Sequence, residues 1–185
     1  MTTMKLALSI AINFLALLLL QKTGLSQVDC YTTSQEQASA VLRTVRLENY
    51  GLEVDIPSNY RAMQREDGSV EILHPGDYEM LQCIAQGGYG SGGYYSESIS
   101  QMQRDRSMTL KEQALTLSSS WGIEQVIDYQ DENLSGYILI SSSGYSVSFL
   151  GQIMGREDIV GISVGCDCDV SVDDLKSIIS RIRPI

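Results

Sequence analysis

The sequence predicts an α+β domain in which a largely antiparallel β-sheet is flanked by helices, a helix–sheet–helix sandwich stapled by disulfides. Three observations lead to this prediction. Short alternating apolar segments recur between turn residues, helical periodicity appears at three places, and an even number of cysteines follows an N-terminal apolar segment. The predicted order is helix, four strands, helix, four strands, helix.

The N-terminal segment predicts export. Lys5 precedes an apolar run over residues 6–20, and Gly24 and Ser26 occupy the small-residue positions that a signal peptidase reads. The run is short for a membrane span, which takes roughly 20 residues. We therefore expect residues 1–26 to be a signal peptide and residues 27–185 to form one α+β domain. A retained N-terminal anchor is the alternative.

Charge narrows the range of partners. The chain has a net charge of −10, and removal of residues 1–26 leaves 11 basic and 23 acidic residues, a net charge of −12. Such a surface repels phosphate backbones and anionic lipid, so we expect no nucleic-acid partner. A protein partner or a cationic surface is expected instead, with membrane association at most peripheral or through an uncleaved N-terminal segment. The oligomeric state is left open.

The first half of the exported part predicts a helix followed by strands. Helical spacing in "TSQEQASAVLRTVR" predicts a helix over residues 33–46, with Ser34 as its N-cap. Strict alternation predicts a strand that ends at Pro57, and Asp67-Gly68 predicts a hairpin turn between the next two strands. "YEMLQCIAQ" reads as a further strand that carries Cys83. A Gly/Tyr-rich loop, residues 87–96, and a short amphipathic stretch then follow.

The second half predicts a helix, a meander of strands and a closing helix. Thr109 and Glu112 form a capping box before the apolar stripe of "TLKEQALTLSSSW". Four turn-linked strands follow between residues 123 and 165. Ser171 is the expected N-cap of the closing helix, whose last turn is predicted to contain Arg181 and Arg183.

The segments "YGLEVDIPSNYRAMQREDGSVEILHP" and "TLKEQA…GYILISSSGYSVSFLGQI…DDLKSIISRIR" resemble PsbP-like domains. The resemblance covers most of residues 47–185 and rests on the pattern of strands and helices. It implies a helix–sheet–helix sandwich used for docking to larger assemblies, including photosynthetic membrane complexes. It transfers no functional residue, because no position matches a site motif of that family.

Two glycine motifs suggest enzyme chemistry. "GISVG" matches the nucleophile elbow of serine hydrolases, with Ser163 as the nucleophile and His74, the chain's single histidine, as its base. "GYGSGG" matches a dinucleotide-binding fingerprint. The elbow serine lies inside a strand pattern, and the fingerprint lies in an antiparallel context without a good following helix. We therefore expect no catalytic residue and no cofactor, and keep a hydrolase based on Ser163 and His74 as an alternative.

The stretch "SVGCDCDVSVDDL" contains weak candidate calcium ligands, Asp167, Asp169 and Asp173. An EF-hand loop would need Gly and Glu at positions that hold Val172 and Ile178. A calcium-responsive module around Asp167–Asp174 is therefore kept only as an alternative, and no metal site is expected.

The four cysteines, Cys30, Cys83, Cys166 and Cys168, are expected to form disulfides in an oxidising compartment. Residues i and i+2 of an extended strand lie too far apart for a relaxed bond. Cys166 and Cys168 are therefore predicted to bridge separately to Cys83 and Cys30, and the choice between the two cross-bridged pairings stays open. A Cys166–Cys168 redox pair is the alternative.

These observations predict an exported, non-enzymatic binding or docking domain, an accessory to an envelope or thylakoid complex. The expected compartment is the periplasm, the thylakoid lumen or the extracellular space. Tyrosines are common at protein interfaces, so the predicted partner surface comprises Tyr89, Tyr94 and Tyr95 with the nearby Glu97.

Overall fold

The computed structural model describes residues 28–31, 36–90 and 94–185, with the side chains of residues 118–121 excepted. The predicted signal peptide and the predicted N-cap Ser34 lie outside the described residues. The predicted α+β class is confirmed. The elements are β1 (Leu42–Leu47), a 3₁₀ turn (Glu48–Tyr50), β2 (Leu52–Pro57), β3 (Arg61–Gln64), β4 (Val70–Leu73), α1 (Pro75–Ala85), β5 (Ser96–Met102), α2 (Leu110–Trp121), β6 (Ile123–Gln130), β7 (Leu134–Ser141), β8 (Ser146–Ile153), β9 (Ile159–Gly165), α3 (Val172–Ile179) and β10 (Ile182–Pro184).

The strands form two antiparallel sheets. The large sheet has seven strands in the order β3-β4-β5-β9-β8-β7-β6, and the small sheet has the order β1-β2-β10. Strand β5 therefore lies between the early hairpin and the later meander, with Ile99 opposite Val70 on one side and Ile162 on the other. This central position makes β5 the strand that joins the two halves of the sequence.

The main core lies between the large sheet and a layer made of the small sheet and α3. Alternate residues of β2, Leu52, Val54 and Ile56, are fully buried in it. They pack with one face of the large sheet and with the apolar side of α3. The core residues from those two elements include Ile99, Phe149, Ile162, Leu175 and Ile178.

The opposite face of the large sheet is covered by α2. Ala114 is fully buried there and packs with Leu139, Leu150 and Ile159. The predicted capping box is present: the Thr109 backbone N–H donates to the Glu112 carboxylate at 2.6 Å, and the Glu112 N–H donates to the Thr109 hydroxyl at 3.1 Å. The predicted second helix is therefore confirmed together with its start signal.

The helix predicted over residues 33–46 is wrong, because residues 42–47 form β1. This strand pairs with β2 in a hairpin, with Leu47 opposite Leu52. The 3₁₀ turn ends at Gly51, whose φ of 66° lies in the left-handed region that glycine tolerates. Pairing with β2 thus outweighs the helical spacing of apolar residues in this segment.

Two further predictions about the middle of the chain are wrong. Residues 75–85 form a helix rather than a strand, with Pro75 at its first position and His74 as the N-cap, accepting from the Gly76 N–H at 3.2 Å. Residues 96–102, where only a loop end and a short amphipathic stretch were predicted, form β5. Glu97 and Ile99 are both buried there, the period-two pattern of a strand.

The closing helix begins as predicted but ends early. Ser171 and Asp174 form a reciprocal capping box at the start of α3. The helix ends at Ile179, and Ile182 then pairs with Val54 in β10. Arg181 and Arg183 therefore lie beyond the last helical turn, which corrects the prediction that they lie within it.

Candidate partner-binding site

A disulfide between Cys30 and Cys83 ties the start of the described chain to α1. Their Cα atoms lie 5.8 Å apart, and the bond joins positions separated by 53 residues. Cys30 is buried, at 1% exposure. This pairing contradicts both predicted cross-bridges, because α1, which carries Cys83, is a helix packed beside residues 28–30 rather than a strand next to Cys166.

The glycines around Tyr89 pack onto this disulfide. A Cβ atom on Gly88 would lie 2.9 Å from the Cys83 sulfur and would also clash with the Cys30 sulfur, and one on Gly90 would lie 2.8 Å from the Cys30 carbonyl oxygen. The Tyr89 N–H donates to the Val28 carbonyl at 2.8 Å, and the Cys30 N–H donates to the Tyr89 carbonyl at 2.7 Å. The described part of the glycine motif therefore permits close backbone approach to the disulfide.

The same geometry projects three large side chains into solvent. Val28 is 61% exposed, Tyr31 66% and Tyr89 59%, although their backbones are held by the disulfide and the short parallel bridge between Asp29 and Tyr89. We call this feature the stapled tip and define it as Val28, Cys30, Tyr31, Cys83 and Tyr89. The sequence predicted Tyr89 as a partner residue but did not predict Val28 and Tyr31. The signal for these two residues was that large side chains lie on both sides of Cys30.

Tyr31 also has an acidic neighbour. The charge of Asp29, followed by a hydrogen bond to that carboxylate, raises the pKa of the Tyr31 hydroxyl. The phenol therefore stays neutral at physiological pH and is able to donate. Together with the neighbouring Asp29, the stapled tip offers apolar surface, hydroxyl groups and one carboxylate.

The other predicted partner residues point inward. Tyr94 is half-buried, and burial, followed by the charge of Glu71, raises its pKa. Tyr95 packs against the main core, and burial likewise raises its pKa. The prediction that Glu97 lies on a partner surface is wrong, because its side chain is only 7% exposed and forms an ion pair with Arg181.

The Glu97–Arg181 pair links β5 to the chain after α3. The Arg181 guanidinium donates to the Glu97 carboxylate at 2.6 Å, to the Ser177 carbonyl at 3.0 Å and to the Asp55 carbonyl at 3.3 Å. Burial raises the pKa of Glu97, and Arg181 opposes that shift. One Glu97 carboxylate oxygen, Oε2, is buried without a hydrogen-bond partner among the described residues. The Glu97–Arg181 pair has a structural role, since its side chains are only 7% and 18% exposed.

The cysteine–aspartate corner after β9 differs from its prediction. Cys166 and Cys168 bond to each other, with Cα atoms 5.1 Å apart. The argument from strand geometry fails because β9 ends at Gly165 and the chain bends over the next residues. Asp167 and Asp169 are exposed.

The candidate calcium ligands lie in and just before α3, Ser163 lies within β9, and His74 caps α1. No group of three His, Cys, Asp or Glu side chains placed to hold a metal occurs among the described residues. Calcium binding by Asp167, Asp169 and Asp173 stays a prediction. Ser163 lies within β9 opposite Ser98 and Ser148, whereas an elbow serine occupies a sharp turn. Both ring nitrogens of His74 are engaged, by the Gly76 N–H and the Glu36 carbonyl.

An open groove of about 880 Å³ lies beside the end of β5. It is lined by residues 101–106 together with Glu157 and Asp158. An ion pair of 2.7 Å between Arg106 and Glu157 crosses its exposed surface. Its lining contains no cysteine, serine or histidine. In the part of the chain that the structure describes, no helix combines the length and apolarity needed to cross a membrane.

The fold defines an α+β domain with two antiparallel sheets and helices on the outer layers. The chain matches no protein-family model and none of the curated proteins. It is similar in structure to the solution structure of cyanobacterial PsbP (CyanoP) from Synechocystis sp. PCC 6803, with a TM-score of 0.48 and 10% sequence identity over 82% of this chain and 96% of that chain. A likeness of this size concerns the fold alone, so membership of the PsbP family stays a prediction.

Proposed function

We propose that this chain is an exported, non-enzymatic docking domain that binds a protein partner through the stapled tip. The observation that carries the proposal is the exposure of Val28, Tyr31 and Tyr89, at 59–66%, on a backbone fixed by the Cys30–Cys83 disulfide. Tyrosine is enriched at protein interfaces because it combines apolar area with a hydrogen-bonding hydroxyl.

Covalent fixing of the tip supports this role energetically. Ordering loops and side chains on association costs about 0.5–1.5 kcal/mol for each immobilised flexible side chain, and a preformed backbone lowers the total. The disulfide and the two hydrogen bonds between Tyr89 and residues 28–30 hold the tip before any partner arrives. Binding then has to order chiefly the side chains of Val28, Tyr31 and Tyr89.

Charge supports a partner with a basic rim. Asp29 lies beside Tyr31, and the part after residue 26 has 11 basic and 23 acidic residues. Complementary charge accelerates association and suppresses wrong partners. The proposed partner surface is therefore an apolar pocket that accepts a tyrosine and is bordered by lysine or arginine.

The proposed compartment is oxidising: the periplasm, the thylakoid lumen or the extracellular space. The N-terminal sequence pattern supports export, and two cysteine pairs at disulfide geometry are compatible with such a compartment. In this proposal the domain is an accessory to an envelope or thylakoid assembly, with residues 1–26 removed. N-terminal sequencing of the mature protein tests the cleavage position directly.

Site-specific photo-crosslinking tests the docking surface. A photoreactive phenylalanine analogue is placed at Tyr89, and a control analogue at Met154, which is 50% exposed in the turn between β8 and β9. After irradiation of native membranes and envelope extract, a discrete adduct is expected from position 89 only, and Tyr31→Ala in the same chain should reduce it at least threefold. Equal adducts from both positions, or none from position 89, would contradict the proposal.

A further inference from the structure

The Cys166–Cys168 disulfide differs from Cys30–Cys83 in span and access. It joins positions only two residues apart, whereas the other bond spans 53. Cys168 is exposed and Cys166 is half-buried, whereas Cys30 is buried and Cys83 is half-buried. Thiol–disulfide exchange requires a thiolate to reach a sulfur atom, so access favours attack at Cys168.

The corner around this disulfide is held by other interactions. The Cys166 N–H donates to the Tyr145 carbonyl at 3.1 Å, and the Val170 N–H donates to the Gly144 carbonyl at 3.0 Å. The capping box of Ser171 and Asp174 fixes the start of α3 independently. Opening the bond therefore leaves the chain path anchored on both sides, and the dithiol form can keep the fold.

We propose that Cys166–Cys168 is a thiol–disulfide exchange site that oxidises the dithiol of one partner protein stoichiometrically, without catalytic turnover. A partner thiolate attacks the Cys168 sulfur, a mixed disulfide forms, and Cys166 leaves as a thiolate that takes up a proton. The partner's second thiolate then attacks its own sulfur in the mixed disulfide and releases the Cys168 thiolate. One dithiol becomes a disulfide, and the Cys166–Cys168 bond becomes two thiols.

The flanking charges indicate the kind of dithiol this site accepts. Asp167 lies between the two cysteines and Asp169 directly after them, both exposed, while Asp173 and Asp174 lie in the first turn of α3. A thiolate approaching these carboxylates is repelled unless positive charge accompanies it. The site therefore favours a dithiol flanked by lysine or arginine, and added salt should weaken that preference.

Redox titration of the mature protein tests the proposal. The protein is equilibrated in graded dithiothreitol buffers, quenched with acid, alkylated and mapped by mass spectrometry. Cys166–Cys168 is expected to open at a reductant-to-oxidant ratio at least tenfold lower than Cys30–Cys83, with unchanged far-ultraviolet circular dichroism. Opening of both bonds at the same ratio, or of Cys30–Cys83 first, overturns the proposal.

Exchange with two synthetic dithiol peptides tests the chemistry itself. The oxidised protein should oxidise a lysine-flanked dithiol peptide at least threefold faster than a glutamate-flanked one at low salt, and the difference should shrink at high salt. Cys166→Ser leaves Cys168 free and should trap a disulfide-linked adduct with an activated peptide faster than Cys168→Ser does. Failure to oxidise either peptide, or equal trapping by both variants, contradicts the assignment. Neither result depends on binding at the stapled tip.

Discussion

Arg181 donates a hydrogen bond of 2.6 Å to Glu97 across 84 residues of sequence, and this ion pair connects the central strand β5 to the segment after α3. The two side chains are 18% and 7% exposed. A buried pair contributes little net stability over apolar residues, but removal of one member leaves a buried charge uncompensated. The pair therefore makes the packing of the closing segment sensitive to single substitutions.

Replacement of Arg181 by alanine is expected to lower the free energy of unfolding by about 3–5 kcal/mol, because the Glu97 carboxylate then stays buried without its counter-charge. The double variant Arg181→Ala/Glu97→Gln should recover at least a third of that loss. Urea denaturation of the mature protein measures both values. An equal loss in the single and double variants would show that the charge of Glu97 is not the cause.

Acid should weaken the small sheet through Asp55. Hydrogen bonds from Arg183, at 2.5 and 3.0 Å, and from Thr44 lower the pKa of Asp55 from 3.8 to about 2. Because the folded-state pKa lies below the unfolded one, this contribution is full above about pH 5 and is lost as pH falls towards 2. Asp55→Asn should flatten that part of the stability–pH curve, whereas the corner variant Asp167→Asn should leave it intact.

The two disulfides should differ in their contribution to stability. Loop-closure entropy gives about 4 kcal/mol for the Cys30–Cys83 loop and about 1–2 kcal/mol for the two-residue Cys166–Cys168 separation. Paired Cys→Ala variants followed by urea denaturation should show the larger loss for the first bond. A larger loss for Cys166→Ala/Cys168→Ala would mean that the second bond stabilises the corner in a way that its neighbours do not replace.

Gly88→Ala is expected to destabilise the domain by about 1–3 kcal/mol, since the added methyl group clashes with the sulfur atoms of the Cys30–Cys83 bond. Gly165→Ala is the matched control, because a Cβ there lies 3.5 Å from its nearest neighbour. That control should stay within about 0.5 kcal/mol of wild type. Thermal melts distinguish the two, and equal melting temperatures would show that the tip adapts to the methyl group.

Local sequence signals predicted the helices and the hairpin whose capping or turn residues lie within a few positions of one another. The capping box Thr109–Glu112 and the N-cap Ser171 located the starts of α2 and α3, and the hairpin at Asp67-Gly68 was found from its turn residues. The partner site was only partly predicted. Tyr89 was found and is exposed, but Glu97 is buried because it lies on the core-facing side of the central strand β5.

The sequence by itself determined the α+β class, the strand meander and the starts of α2 and α3, because alternation, turn residues and caps act over a few neighbouring positions. Tertiary structure decided that residues 42–47 form a strand, that Glu97 pairs with Arg181, and that Cys83 bonds to Cys30. Those outcomes depend on groups far apart in the chain. The distances between the cysteines are set by the bend after Gly165, by the helical course of α1 and by the packing of distant strands. No local sequence pattern contains these distances.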